Sequence, residues 1–201
     1  MAEMSDLSRW EKELSLFNEV LANPRGQAIV IVGPAGSGKS TLLAMMVMRG
    51  KQVKQLHCEG RIHHVGPNDT SNKVLRDIVT SDNGSLAFLD LEHILRSLSN
   101  SVDEFGDLHR RVIGIDANPT MPVELERNWL EIIPDLPPKV KLIFTQRPDD
   151  ILATNIEFMG LPNVVRIDVE AKESGERSEE KSKDENQLIE AFIKFLVLCP
   201  G

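Results

Sequence analysis

The segment from Gly33 to Ser40 carries residue types and a spacing that could bind phosphate. It fits the pattern G-x-x-x-x-G-K-[ST] at every fixed position. Glycines let successive backbone N–H groups point inward and form a nest for anionic oxygens. In this pattern Lys39 reaches the β- and γ-phosphates, and the Ser40 hydroxyl binds Mg²⁺. The predicted nucleotide-contacting residues are Gly33, Pro34, Ala35, Gly36, Ser37, Gly38, Lys39, Ser40 and Thr41.

A glycine-rich turn that holds no ligand is the alternative explanation of this segment. A chance match to the whole pattern is rare in a chain of 201 residues. The flanking sequence lowers that chance further, because it predicts a strand before the loop and a helix after it. Residues 27–32 form a continuous apolar run, and the helix after the loop carries Leu42, Leu43, Met46 and Val47 before Gly50.

The elements that must position this loop follow from the apolar pattern. Further strands are predicted at 52–58, 111–116, 139–144 and 164–168. Predicted helices lie between them, near 71–78, 86–98 and 122–133. Strands that alternate with helices favour an α/β fold in which a parallel sheet is covered on both faces.

The predicted domain organisation is one core with a short C-terminal extension. Residues 1–169 form the core and begin with a helix at 8–22. Residues 170–187 hold almost no apolar side chain, which predicts an acidic solvated loop or linker. Residues 188–201 are expected to form a last helix that packs on the core.

Charge and composition limit the classes of protein. The net charge of −8 argues against broad nucleic-acid binding. Apolar runs fall short of the ~20 residues that a membrane-spanning helix needs. The acidic, polar N-terminus does not resemble a signal peptide, and Cys58 and Cys199 form no disulfide or zinc pattern. We expect a cytoplasmic protein that has no membrane partner.

A nucleotide-hydrolysing protein of this kind also needs an acidic residue near Mg²⁺, at the end of a strand next to the loop. Asp116 closes the apolar run 111–116 and is the best candidate for the second metal residue beside Ser40. Asp168 also closes a strand but comes too late in the predicted strand order. The alternative is that Asp116 only caps a helix or turn ahead of Pro119.

The order of motifs resembles that of STAND ATPases, the NACHT and NB-ARC-like signalling proteins related to AAA+ ATPases. The resemblance rests on WEKELSLFNEVL, the phosphate loop, LHCEG…SNKVLRDIV, RVIGIDANP and LPPKVKLIFTQRPDDIL, within residues 8–169. It implies a P-loop NTPase three-layer sandwich whose five-stranded parallel sheet has the order 5-1-4-3-2. It also implies that Asp116 acts as the Mg²⁺ acid and that Arg147 senses the γ-phosphate. A surface arginine in a turn before Pro148 is the alternative for Arg147.

The chain departs from the family after Asp116. Members often carry a further acidic residue there that positions the attacking water, whereas residues 117–120 read Ala-Asn-Pro-Thr and Glu124 is the next carboxylate. We therefore expect an ATP/ADP-binding, Mg²⁺-dependent switch domain of a signalling protein, in which Lys39, Asp116 and Arg147 support slow hydrolysis. Its protein partners, or its own self-association, would act through further domains.

Three other functions are weaker alternatives. A small P-loop kinase would need arginines in a lid, but the segment 148–163 offers Asp149, Asp150 and Glu157. A module that binds nucleotide without turnover would share the same loop. A zinc site among His57, Cys58, His63 and His64 does not match common ligand spacing.

Overall fold

The computed structural model describes residues 9–53, 56–79, 91–103 and 109–171. The helices are α1 (Glu11–Ala22), α2 (Lys39–Gln52), α3 (Ser71–Val79), α4 (Leu91–Asp103), α5 (Val123–Ile132) and α6 (Ile151–Met159), and one 3-10 turn spans Ile133–Asp135. The strands are β1 (Gln27–Val32), β2 (His57–Val65), β3 (His109–Ala117), β4 (Val140–Gln146) and β5 (Val164–Asp168).

The five strands form one sheet in the order β2-β3-β4-β1-β5. Every adjacent pair is parallel. The predicted strand order 5-1-4-3-2 is therefore confirmed. Because all strands point the same way, their carboxyl ends share one edge, and the phosphate loop after β1 lies at that edge.

Each face of the sheet is covered by helices, as the continuous apolar strands require. On one face α3, α4, α5 and α6 contribute to a core that includes Leu98, Trp129 and Phe144. On the other face α1 and α2 pack through Phe17 and Met46. The predicted α/β three-layer sandwich is confirmed.

Several element boundaries differ from the predictions, and α6 has no counterpart among the predicted helices. The second strand was predicted at 52–58, but β2 runs from His57 to Val65 and pairs along its whole length with β3. β2 is an edge strand, so its mixed polar sequence hides the strand pattern. In addition, α2 continues past Gly50 to Gln52. Part of the predicted helix at 86–98, and nearly all of the predicted loop 170–187 and helix 188–201, lie outside the described residues.

Basic side chains are buried at the amino ends of the strands. Arg110 Nε donates to the carbonyl of Leu21 at 3.1 Å, and Arg111 Nη2 donates to the carbonyl of Ile78 at 2.7 Å. Both carbonyls lie in the last turn of a helix, where a positive charge is favourable because of the helix dipole. The two arginines are consecutive in β3, so they reach helices on opposite faces of the sheet.

Lys141, in β4, makes a similar contact beside them. Its Nζ donates to the carbonyls of Asn23 and Arg25 and to Oε1 of Gln27. The side chain is fully buried, and burial lowers the pKa of Lys141 to about 7. These contacts hold the segment that joins α1 to β1, the strand that leads into the phosphate loop.

Candidate nucleotide-binding site

The loop between β1 and α2 has the backbone shape that its glycines permit. Gly36 has a φ of 75° and Gly38 a φ of 94°, a region that side chains with a Cβ rarely adopt. A Cβ built on Gly36 meets nothing within 4 Å, so the tip of the loop borders open space. α2 begins directly at Lys39, and its first N–H groups therefore face the loop.

Lys39 folds back over the loop that precedes it. Its Nζ donates to the carbonyls of Gly33 at 2.8 Å and Pro34 at 2.7 Å. Burial lowers the pKa of Lys39, and the positive charge of Arg147 lowers it further. Two positive groups therefore lie close together beside an anion-binding loop, and a bound anion would relieve their repulsion.

Helix packing brings Ser40 to Asp116 across the sheet. A Cβ on Gly114 would come within 2.9 Å of the Leu43 side chain and 3.3 Å of Ile62, so glycine lets α2 lie close against β2 and β3. Ser40 lies three residues before Leu43 on the same face of α2, and Asp116 lies two residues after Gly114 on the same face of β3. The Ser40 hydroxyl donates to Asp116 Oδ1 at 2.8 Å across 76 residues of chain.

Three side chains surround the Asp116 carboxylate. Besides Ser40, Thr145 Oγ1 donates to Oδ1 at 2.8 Å, and His64 Nδ1 lies 3.2 Å from Oδ2. Thr145 Oγ1 also accepts the backbone N–H of Ala117 at 3.0 Å, which fixes its position. Asp116 itself is buried, whereas the His64 side chain is 75% exposed. The carboxylate is therefore held at the edge where β2, β3 and β4 end.

Arg147 follows β4 directly and lies on the Lys39 side of the site. Its backbone N–H donates to Asp150 Oδ2 at 2.7 Å, which shapes the turn into α6. Its charge acts on both Lys39 and Asp150. The structure thus brings Lys39, Ser40, Asp116 and Arg147 to one edge of the sheet. Their roles in binding and sensing remain predictions.

Glu126 links this turn to α5. Its Oε2 accepts the N–H of Ile151, the first residue of α6, at 3.1 Å, while Oε1 has no partner among the described residues. Burial raises the pKa of Glu126 to about 7, and the negative charge of Asp150 contributes to the rise. Burial also raises the pKa of Asp150. Two poorly solvated carboxyl groups, those of Glu126 and Asp150, therefore hold the turn that carries Arg147.

The start of the N-terminal helix lies against the loop. Arg9 Nη2 donates to the carbonyl of Ser37 at 3.3 Å, and its guanidinium stacks over Trp10, 4.4 Å from the ring centroid. A Cβ on Gly38 would meet the Trp10 ring at 3.2 Å. A trans peptide directs its C=O and N–H in opposite directions, so the contact with Arg9 points the N–H of Gly38 away from α1.

Sequence reasoning did not identify the site roles of Thr145, His64, Glu126, Arg9 and Trp10. The one available signal was position, since Thr145 and His64 each lie at the carboxyl end of a strand. The rival acid Asp168 ends β5, on the opposite side of β1 from Asp116, where it pairs with Arg166. Glu124 is exposed in the first turn of α5.

The four residues of the candidate zinc group, His57, Cys58, His63 and His64, all lie on β2. His63 and His64 are consecutive, so they point to opposite faces of the sheet. Within the described residues, no group of three or more His, Cys, Asp or Glu side chains is placed to hold a metal. A cavity of about 770 Å³ lies between α1 and the end of β5, lined by charges of both signs, including Glu11, Lys12 and Arg166.

The residues at the loop fit a magnesium nucleotide. The loop offers an open tip and the N-terminus of α2 to phosphate oxygens, and Lys39 and Arg147 supply positive charge. A hydroxyl and a buried carboxylate, the oxygen ligands that Mg²⁺ prefers, meet beside it. This fold and this site define a P-loop ATPase domain.

The comparisons with known proteins agree with this class. Residues 18–154 match the family described as ABC transporter. The match covers more than half of the chain, and the chain belongs to this family. No curated protein matched the sequence. Among the described residues no helix is long and apolar enough to cross a membrane.

Solved structures with a similar fold are ORC and Cdc6 proteins. Drosophila ORC bound to DNA is 16% identical with a TM-score of 0.55, covering 85% of this chain and 46% of that one. Aeropyrum pernix ORC2, in ADPNP and ADP complexes, is 12% identical with a TM-score of 0.58, covering 81% and 47%. Pyrobaculum aerophilum Cdc6p is 14% identical with a TM-score of 0.55, covering 80% and 45%. The chain thus spans about half the length of these proteins, and the likeness shows that they share a fold.

Proposed function

We propose that this chain is the Mg²⁺-dependent ATP-binding switch domain of a larger, STAND-type signalling ATPase that hydrolyses ATP slowly. The observation that carries the proposal is the 2.8 Å contact between Ser40 and Asp116, two residues that lie 76 positions apart in sequence. A hydroxyl from the loop and a strand-end carboxylate at this spacing are what a magnesium ion bound to a triphosphate requires.

Each residue has a defined part in binding. The backbone N–H groups of residues 33–41 hold the phosphates, and Lys39 leaves the carbonyls of Gly33 and Pro34 to reach them. Ser40 and Asp116 hold Mg²⁺, which when bound neutralises phosphate charge during transfer. Arg147 supplies a second positive charge on the γ-phosphate side, where a guanidinium can make paired hydrogen bonds.

The turn that contains Arg147 supports a sensing role. Its backbone is tied to Asp150, and the next helix is tied to Glu126 of α5. Loss of the γ-phosphate would remove the anion that lies between Lys39 and Arg147, and their repulsion would then act on this turn. α5 and α6 would carry the change to partner proteins or to further domains of the same protein.

Slow turnover follows from the residues after Asp116. Residues 117–120 supply no carboxylate that could take a proton from the attacking water, and general-base catalysis typically contributes ~10² to 10⁴-fold in rate. Charge stabilisation by Lys39 and Arg147 still lowers the barrier. We therefore expect turnover below ~1 s⁻¹, the lower end of ordinary enzymes.

The proposal also covers the subclass of the ATPase, its domain organisation, its partners and its location. The order of motifs across residues 8–169 is the support for the STAND subclass and for ATP as the nucleotide. The part of the chain that the structure describes up to residue 169 would form the switch core. The partners would be proteins or further copies of this chain, and the location would be the cytoplasm.

Asp116→Asn tests the proposal directly. The variant should lose about tenfold in ATP affinity with Mg²⁺ and little without it, since the lost charge acts through the metal. Titration of a fluorescent ATP analogue with and without Mg²⁺ gives both values. Equal losses in the two titrations would make Asp116 a structural residue. Wild-type phosphate release of many turnovers per second would contradict the slow switch.

A further inference from the structure

We propose that His64 positions the attacking water for ATP hydrolysis and takes the place of the carboxylate missing after Asp116. This inference rests on the proposed function, because it concerns the reaction of the same site. The residue was not identified from the sequence, where it lies 52 positions before Asp116 in an irregular polar strand.

The sheet places His64 beside the metal acid. β2 and β3 are parallel and in register, with His64 opposite Asp116 and Ile62 opposite Gly114. Side chains along a strand alternate between the two faces of the sheet, so these four residues share one face. This is the face on which α2 packs through Leu43. The same face carries the Ser40–Asp116 contact, so His64 lies at the nucleotide side of the sheet.

The hydrogen bonds around Asp116 leave His64 in a useful orientation. Oδ1 is occupied by Ser40 and Thr145, whereas Oδ2 faces His64 Nδ1 at 3.2 Å. With the proton on Nδ1, the imidazole donates to Asp116 and its Nε2 is a hydrogen-bond acceptor. A carboxylate that orients an imidazole in this way is a general arrangement for aiming the second ring nitrogen at a reactant.

Exposure separates this side chain from the other groups of the site. The His64 side chain is 75% exposed, whereas Asp116 is 7% exposed. Water therefore reaches the imidazole directly while the carboxylate stays with its donors. Glu124, the next carboxylate in the sequence, is exposed on α5 and is not joined to Asp116 by a hydrogen bond in the described structure.

In the proposed hydrolysis step no residue of the protein takes a proton from the attacking water. The water oxygen bonds to the γ-phosphorus while the bond from phosphorus to the bridging oxygen breaks, and ADP leaves with that electron pair. Both water protons remain on the product, which leaves as dihydrogen phosphate. His64 Nε2 accepts a hydrogen bond from the water and holds it in line, which suits a loose transition state that needs positioning more than deprotonation.

Two variants of His64 and one control test the proposal. His64→Ala removes the acceptor, and His64→Gln keeps an amide oxygen that can accept. His63→Ala is the matched control, because the neighbouring imidazole lies on the opposite face of β2, where Asp77 acts on its charge. Thermal unfolding of each variant checks that the fold is kept, which is expected because His64 is exposed and His63 is only partly buried.

The decisive readout is binding of a transition-state analogue. ADP with aluminium fluoride and Mg²⁺ holds the in-line water, whereas a nonhydrolysable ATP analogue does not engage it. His64→Ala should lose about tenfold in affinity for the first and less than twofold for the second. Steady-state phosphate release should fall by a similar factor, with His64→Gln intermediate and His63→Ala unchanged.

Other outcomes overturn the inference. Equal losses for both ligands would mean that His64 only holds Asp116 for the metal, and no loss for either would remove it from the reaction. If the wild-type chain binds and hydrolyses ATP and the His64→Ala variant does so equally well, the inference about His64 fails but the proposed function stands. If the wild-type chain does not bind ATP, the proposed function fails as well.

Discussion

The two ends of the parallel sheet differ in how deeply their basic side chains are buried and in what these side chains contact. At the amino end, Arg110, Arg111 and Lys141 are buried, and each donates to backbone carbonyls at or after the end of a helix. At the carboxyl end, Lys39 and Arg147 are partly exposed and repel one another. One end therefore holds basic groups that are buried against backbone carbonyls, and the other holds basic groups that are partly exposed beside the phosphate loop.

This difference separates stability from function. Basic groups that donate to helix carbonyls join α1 and α3 to the sheet and leave nothing for a ligand. At the opposite end one oxygen of Glu126 has no partner among the described residues, and Lys39 donates to two backbone carbonyls of the phosphate loop. Under the proposed function, bound phosphate would replace these carbonyls as the partner of Lys39 and would stabilise the folded protein.

The largest effect should come from the amino end. Lys141→Met keeps most of the side-chain volume but leaves the carbonyls of Asn23 and Arg25 without their donor. We expect a loss of about 4 kcal/mol in the free energy of unfolding, measured in urea, because three hydrogen bonds of a fully buried amino group are lost. ATP affinity of the folded variant should not change. Lys12→Met, at an exposed position of α1, is the control, and equal stability of the two variants would refute the comparison.

The next effect concerns the carboxyl end. Lys39→Ala should weaken ATP binding roughly 100-fold, since charged hydrogen bonds to two phosphates are lost. Its unfolding free energy should stay close to that of the wild type, because Lys39 is only half-buried. Equilibrium titration and urea unfolding on the same samples measure both. Unchanged affinity in a folded variant would remove the loop as the binding site.

The pH dependence of stability at Glu126 tests the same difference between the two ends of the sheet. Its folded pKa of about 7 lies above the ordinary 4.5, so the folded state holds the proton more tightly. This stabilisation is complete below about pH 4.5 and is lost as pH rises through 7. Relative to Glu126→Gln, the wild type should therefore lose about 2 kcal/mol between pH 5 and pH 8 in urea unfolding. Glu124→Gln, at an exposed site, should show no such trend, and parallel curves for Glu126→Gln would contradict the burial argument.

The smallest effect should come from adding the missing acid. Thr120→Glu places a carboxylate where the resembling family carries one, and phosphate release should rise a few-fold, by less than about 1 kcal/mol in barrier. ATP affinity should not tighten, because the new group acts on water alone. Thr120→Gln controls for size. A rise with glutamine equal to that with glutamate would show that charge is not the cause.

Much of the fold could be predicted because its signals are local. The apolar runs at 27–32 and 111–116 lie in buried strands that need no partner to be recognised, and the apolar run at 164–168 identifies the edge strand β5. β2 was misplaced because an edge strand faces solvent and has a mixed pattern. The strand order came from the resemblance, since apolar runs alone do not state which strands are neighbours.

The sequence by itself determined the phosphate loop, the strand before it and the helix after it, because glycine geometry and apolar periodicity act over a few residues. It also presented Asp116 as a candidate at the end of a strand, whereas Arg147 was a candidate only through the resemblance to STAND ATPases. Only the tertiary structure decided that His64 and Thr145 meet Asp116, and that Arg110, Arg111 and Lys141 are buried. Those contacts join residues on different strands and helices, and their partners are set by register and packing, which no short stretch of sequence contains.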